Sequence, residues 1–301
     1  MSSSLIARGK ISESKVVLSQ SLLFISPPHR KPTFLTFSIS LPLTCVPCTT
    51  CLESPSVTKV VFDGRMDYSA LYHEKSVAMQ NVVDMQIADV RSRVLRGEGR
   101  DEQMERLKGY IHEPELRGTP SKYWSVQRLN GLSYCAKEHK IDIDGFPEIN
   151  IEHTAWMTRP LPEKYTQYAT IDAKLINAVY DEFNRLEYID DILRQQSMRY
   201  VTMWKDHQPS YRDTYHAHAL LPLGVLDNPT YFVRRACNTC HRELPQEAFS
   251  KTGWRLGKNL VCWVCAALKF RKRSRSHWDT DDEYEYYDSD EIFGWSAYDS
   301  D

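Results

Sequence analysis

The chain has 301 residues, 42% hydrophobic and 11% aromatic, enough for one large core or two smaller ones. Its 38 Lys and Arg nearly cancel 40 Asp and Glu, leaving a formal net charge of −2, so no global field draws it to nucleic acid and any basic surface must be local. Ser and Pro interrupt every apolar run before it reaches membrane-spanning length, which argues against a membrane protein.

Residues 1 to about 57 form a zone rich in Ser, Pro, Leu and Thr in which Glu13 and Glu53 are the only acidic residues. Within it "KVVLSQSLLFI" and "PTFLTFSISL" read as strands, the second by near-alternation of apolar and polar positions. The composition shifts abruptly at Leu52. This predicts an atypical N-terminal segment over 1–51, outside the fold, and a domain from 52 to 206 whose first strands are missing or atypical.

"VTKVVFDG" reads as a buried strand stopped by Asp63-Gly64, and "RMDYSALYHE" as a helix with Asp67 in its first turn. "QNVVDMQIADVRSRVL" predicts a short strand and then a helix starting near Asp84, whose carboxylate caps it. "WSVQRLNGLSYCAKEHKI" predicts an amphipathic helix interrupted by Gly131. "RPLPEKYTQYATIDAKLINAVYDEF" predicts a further helix, with a pattern that continues through "LEYIDDILRQQSMRYVTMWKDH". Strands alternating with helices indicate an α/β domain.

Residues 207–235 read as a linker, 236–268 as a cysteine module, and 269–301 as a disordered tail, basic and then acidic. The eight cysteines are Cys45, Cys48, Cys51, Cys135, Cys237, Cys240, Cys262 and Cys265. The last four form C-x2-C, 21 intervening residues and C-x2-C, a spacing suited to a structural tetrahedral Zn²⁺ held by four thiolates. Metal-type cysteine pairs without an export signal point to a reducing, intracellular compartment, and the basic run "KFRKRSRS" favours the nucleus. The same run can instead be a solvated stretch that pairs with the acidic tail. Cys45, Cys48 and Cys51 have ligand-like spacing but lack a fourth partner. Trp156 and Tyr123 could stack on a base, although aromatics beside loops are commonly core. His73 and His153 have no discernible partner in the sequence.

Tyr168 and Asp172 are one helical turn apart and share a face. A phenol there can orient a water, and a carboxylate can hold a hard divalent cation. Asp67, just after a strand, offers a second carboxylate, though an Asp in a first helical turn ordinarily serves the helix dipole.

Together, "TKVVFDGRMDYSALYHEKSVAMQNVVDMQIAD" and "RPLPEKYTQYATIDAKLINAVYDEF" resemble the second and third exonuclease motifs of the DnaQ-like DEDDy 3′–5′ exonucleases, the RNase D, Werner and Egalitarian types. "LNGLSYCAKEH" resembles the Gly-Leu helix between those motifs. The resemblance covers about half the chain. It implies an RNase H-like mixed sheet flanked by helices, with a small zinc-ribbon-like module added. It further implies Mg²⁺ or Mn²⁺ on Asp67 and Asp172, Tyr168 holding the attacking water, Asp84 as a cap rather than a ligand, and single-stranded nucleic acid with a 3′ end as substrate. The family's first motif, Asp-x-Glu on an early strand, is absent, because no Asp precedes Asp63. The alternative is therefore a catalytically inactive module that binds nucleic acid or protein, with the zinc module as a docking surface for a protein partner.

Overall fold

In the computed structural model the described residues are the strands at 15–19 and 36–39 and the stretches 48–142, 162–209, 219–227 and 233–275, with side chains described between 49 and 269. A mixed sheet runs in the order β2-β1-β3-β4, with β1 Lys15–Ser19, β2 Thr36–Ile39, β3 Thr58–Val61 and β4 Val82–Asp84. β1 pairs antiparallel with β2 and parallel with β3, and β3 pairs parallel with β4. Two strands thus precede Leu52, and the sheet extends across the boundary that composition places there. The physical reason is that "KVVLS" and "TFSI" have β-branched and aromatic strand character whatever the polarity of the Ser/Pro-rich residues around them.

The period of a strand sorts the core. Val60 and Val83 face one side and Val61 and Val82 the other, and all four are fully buried. Each contributes roughly 1.5–3 kcal/mol of transfer free energy. On the Val61 side lie Leu52 of α1 (Cys48–Glu53) and Tyr68 and Leu71 of α2 (Arg65–Lys75). On the Val60 side lie α3 (Met85–Leu95), α6 (Leu132–Glu138) and α7 (Glu163–Arg185). α7 packs across β1 and β2 and reaches β3.

α7 does not continue as the pattern suggests. It stops at Arg185, Glu187 takes a left-handed conformation, and Asp190 caps a new helix, α8 (Asp191–Val201), by accepting from the Leu193 amide at 2.7 Å. α8 packs against β4, the strand at one end of the sheet order, and its Ser197 Oγ accepts the β4 amide of Asp84 at 2.9 Å. An edge N–H is thereby satisfied inside the fold rather than left for another strand.

The helix expected over "WSVQRLNGLSYCAKEHKI" is shorter. Gly131 is its N-cap, and Arg128 upstream is bridged to Leu220. Leu220, Leu221, Leu223 and Val225 are buried, so this part of the stretch read as a linker belongs to the core. The body also carries α4 (Arg100–Leu107) and α5 (Glu113–Gly118).

The cysteine module starts with the antiparallel pair β5 (Arg235–Ala236) and β6 (Glu243–Leu244) and continues through α9 (Lys251–Leu256) to α10 (Trp263–Arg275). Its Leu244, Phe249, Leu260, Val264 and Leu268 share one hydrophobic cluster with Leu107, Tyr123, Trp204 and Leu220 of the body. The module is thus built onto the domain, not tethered beside it. The backbone of the basic run is helical as far as Arg275; the tail that follows lies outside the described residues, as do Cys45, Trp156 and His153. Among the described residues, no helix is long and apolar enough to cross a membrane.

Candidate functional site

The turn between β3 and α2 is held by a carboxylate from the neighbouring strand. Asp84 accepts the backbone amides of Asp63 at 3.2 Å, Gly64 at 2.9 Å and Gln86 at 2.9 Å. It therefore caps α3 and pins the turn at once, in keeping with its reading as a cap. Burial pushes its pKa up to about 7, with help from Asp63, although the three N–H donors favour the ionised form. Asp63 forms a bidentate pair with the buried Arg65, at 2.6 and 2.7 Å. The Arg65 guanidinium lies 4.8 Å from the Tyr200 ring centre and 5.4 Å from that of Trp204.

Asp67 stands one turn into α2, 6% exposed, beside these groups. Its pKa is pushed up to about 8, first by burial and then by the charges of Asp63 and Asp84. Asp172 on α7 is pushed up to about 7 by burial alone. Tyr168 lies one turn before it, half-buried. The two metal-ligand candidates stand on helices that pack on opposite faces of the sheet, and neither shifts the other's pKa. Among the described residues, neither belongs to a group of three His, Cys, Asp or Glu with converging ligand atoms. The structure instead brings Asp67 near Asp63 and Asp84. Glu53, one of the two early acids, accepts the Ala78 amide at 3.3 Å.

Replacing Asp84 by alanine strands two buried turn amides and uncaps α3. The expected cost is about 3 kcal/mol, read as a lowered urea midpoint, whereas Asp84→Asn keeps an acceptor and loses less. A midpoint unchanged in Asp84→Ala would remove Asp84 from this role.

The second assembly is Cys237, Cys240, Cys262 and Cys265, whose sulfurs all lie within 4.8 Å of one another with no disulfide between them. Tetrahedral zinc thiolates at ~2.3 Å imply sulfur separations of about 3.8 Å, and Cys240 and Cys262 are 4.0 Å apart. His241 takes a left-handed conformation just after the first knuckle, and its amide donates to the Cys237 carbonyl at 2.8 Å. The amides of Thr239 and Cys262 both donate to Cys237 Sγ, at 3.4 and 3.3 Å. Those donors stabilise a thiolate, and thiol hydrogen bonds from the other three cysteines lower the Cys237 pKa strongly. The donor set fits Zn²⁺.

Tyr123 is a core residue rather than a stacking platform: it is 1% exposed and donates to Glu115 Oε1 at 3.1 Å. His73 has a partner the sequence could not reveal, the Trp204 carbonyl, 2.8 Å from its Nε2. Exposed Trp124 carries Arg100 at 3.7 Å from its ring centre. Where the cysteine module meets the turn at Pro120–Tyr123, a cleft of about 450 Å³ opens, with Lys122, Lys251, Phe249 and Trp263 among its walls.

No protein-family model matches the chain, and no curated protein matches it. Solved structures of RNase D from Trypanosoma brucei are similar. The complex with RNA U12 has 16% identity and a TM-score of 0.46, covering 71% of this chain and 71% of that one. A crystal structure of the RNase D has 16% identity and a TM-score of 0.40, over 66% of this chain and 68% of that one. The GMP complex has 16% identity and a TM-score of 0.39, over 65% and 59%.

Proposed function

We propose that this chain is a 3′–5′ exonuclease-like protein that binds single-stranded nucleic acid at a 3′ end without hydrolysing it by the two-metal route, and that Zn²⁺ on Cys237, Cys240, Cys262 and Cys265 holds its C-terminal module to the body. The motifs around Asp67 and around Tyr168 and Asp172 support the family. The observation that carries the inactive reading is β1: the strand beside β3 reads "KVVLS" and brings no carboxylate, where the family's early strand brings two.

Two-metal hydrolysis needs several carboxylates converging on one pair of ions. Asp67 and Asp172 alone leave that set incomplete. The aromatic and cationic surface of Trp124 with Arg100, and of the cleft with Lys122 and Trp263, suits a strand that offers stacked bases and phosphates. The module face is also the docking surface for a protein partner. Asp67, Asp172 and Tyr168 are the residues to hold Mg²⁺ or Mn²⁺ and a water if any hydrolysis occurs, and that outcome is the second reading.

The test is incubation of 3′-labelled and 5′-labelled single-stranded oligonucleotides, RNA and DNA, with the full chain and with Asp172→Ala, in Mn²⁺ or EDTA. Retarded migration without shortening, equal for both proteins, is expected. Shortening from the 3′ end that EDTA and Asp172→Ala both abolish overturns the inactive reading. Neither shortening nor retardation overturns nucleic-acid binding.

A further inference from the structure

A third group of ligating side chains lies away from both sites. Asp89, Cys135 and His139 present a carboxylate oxygen, a sulfur and a ring nitrogen, all within 4.8 Å of one another. Asp89 and Cys135 are fully buried, and the His139 side chain is 3% exposed. The three come from two helical segments. Asp89 lies on α3, whereas Cys135 and the C-cap residue His139 are four apart, on one face of α6. Ser92, three residues after Asp89 on the same helix, adds a buried hydroxyl 3.3 Å from His139 Nε2.

We propose that Asp89, Cys135 and His139 form a second Zn²⁺ site that fastens α6 to α3, with Ser92 Oγ beside its fourth position. The support shell is already in place. Asp89 Oδ2 accepts from Arg93 at 2.9 Å and from Asn130 at 3.1 Å, which leaves Oδ1 facing His139 Nε2 at 3.0 Å. Holding one carboxylate oxygen from behind while the other points inward is the usual orientation of a metal-bound carboxylate. His139 is fixed by its ring contacts with Phe183, at 4.4 Å, and Tyr188, at 6.4 Å. The sulfur selects the ion: Mg²⁺ and Ca²⁺ take oxygen ligands, whereas a mixed N, O and S set in a dry pocket suits Zn²⁺. A thiol is a weak hydrogen-bond donor, so Cys135 gains little from facing Asp89 as S–H and much as a thiolate on an ion. Zn²⁺ entry expels the thiol proton of Cys135 and requires His139 Nε2 without its proton.

The experiment is zinc content per chain by mass spectrometry on the purified full-length protein, for the wild type and for Cys135→Ser and His139→Ala. Two zinc ions in the wild type and one in each variant are expected. One zinc in the wild type that both variants retain overturns the site. So does a value of two that survives both substitutions, which would place the second ion elsewhere. If the variants do not fold, X-ray absorption at the zinc edge of the wild type decides. Five thiolates shared by two ions give about 2.5 sulfurs per zinc, with nitrogen and oxygen making up the shell. Four sulfurs per zinc with no nitrogen or oxygen overturns the site.

Discussion

Replacing Cys262 and Cys265 by serine lowers the thermal midpoint of the whole chain in one transition, not that of the C-terminal module alone. Structural zinc in small modules supplies apparent binding energies of about 10–16 kcal/mol, comparable to the entire stability of a typical domain. The question is where that energy is felt. Cys237, Cys262 and Cys265 sit in the same buried cluster as Leu107, Tyr123, Trp204 and Leu220, all 1% exposed or less, so opening the module exposes the body's own apolar surface.

The coupling reaches further, to the candidate site. Trp204 closes the end of α8, its carbonyl contacts His73 on α2, and its ring lies under Arg65, which holds Asp63. Loss of zinc should therefore speed amide exchange in α2 as well as in the module. Circular dichroism melts with and without chelator, combined with hydrogen exchange, test this. Two separate transitions, with α2 exchange unchanged, would show that the shared cluster transmits nothing.

What could be read in advance was local. "VTKVVFDG" and "VVDMQIAD" specify strand, turn and capped helix within a few residues, and the spacing of the four cysteines anticipates that their sulfurs converge; these are the features the structure reproduces most closely. The Tyr168 and Asp172 pair is legible for the same reason, since a helix fixes residues four apart on one face.

The remainder depends on partners distant in the chain. The apolar residues of "HALLPLGVL" look like a loop because Pro and Gly interrupt them, yet the amide of Leu129 donates to the Ala219 carbonyl and that of Leu221 to the Gln127 carbonyl. That pairing also explains why residues before Gly131 leave the helical pattern: their backbone is committed to another segment. Asp89 looks like one more polar position on an amphipathic helix until His139, fifty residues later, is folded against it. Nor does any local signal say that Asp63 is neutralised by Arg65 while Asp67 is left beside it.

Asp67 is the residue whose environment makes the sharpest prediction, because it is buried among acids. Its folded pKa of about 8 lies above its ordinary value of 3.8, so the folded state holds a proton that the unfolded chain releases. Stability contributed by this group is fully present below about pH 4 and is lost as pH rises through 8, a loss on the order of 5 kcal/mol. Asp67→Asn keeps the shape and removes the charge. The variant should match the wild type near pH 4 and exceed it by several kcal/mol near pH 9, in urea melts at each pH. Asp84, raised to about 7 for similar reasons, titrates in both proteins and leaves the difference between them to Asp67. A wild type more stable than Asp67→Asn at pH 9 would mean that a cation or donor already compensates the carboxylate. If Asp67 holds Mn²⁺, as the second reading requires, adding that ion at pH 9 should raise the wild-type midpoint and leave the Asp67→Asn midpoint where it was. A carboxylate that is costly to ionise without an ion and favourable with one is the local physics of a metal ligand, and it can persist at Asp67 even where the full two-metal set does not.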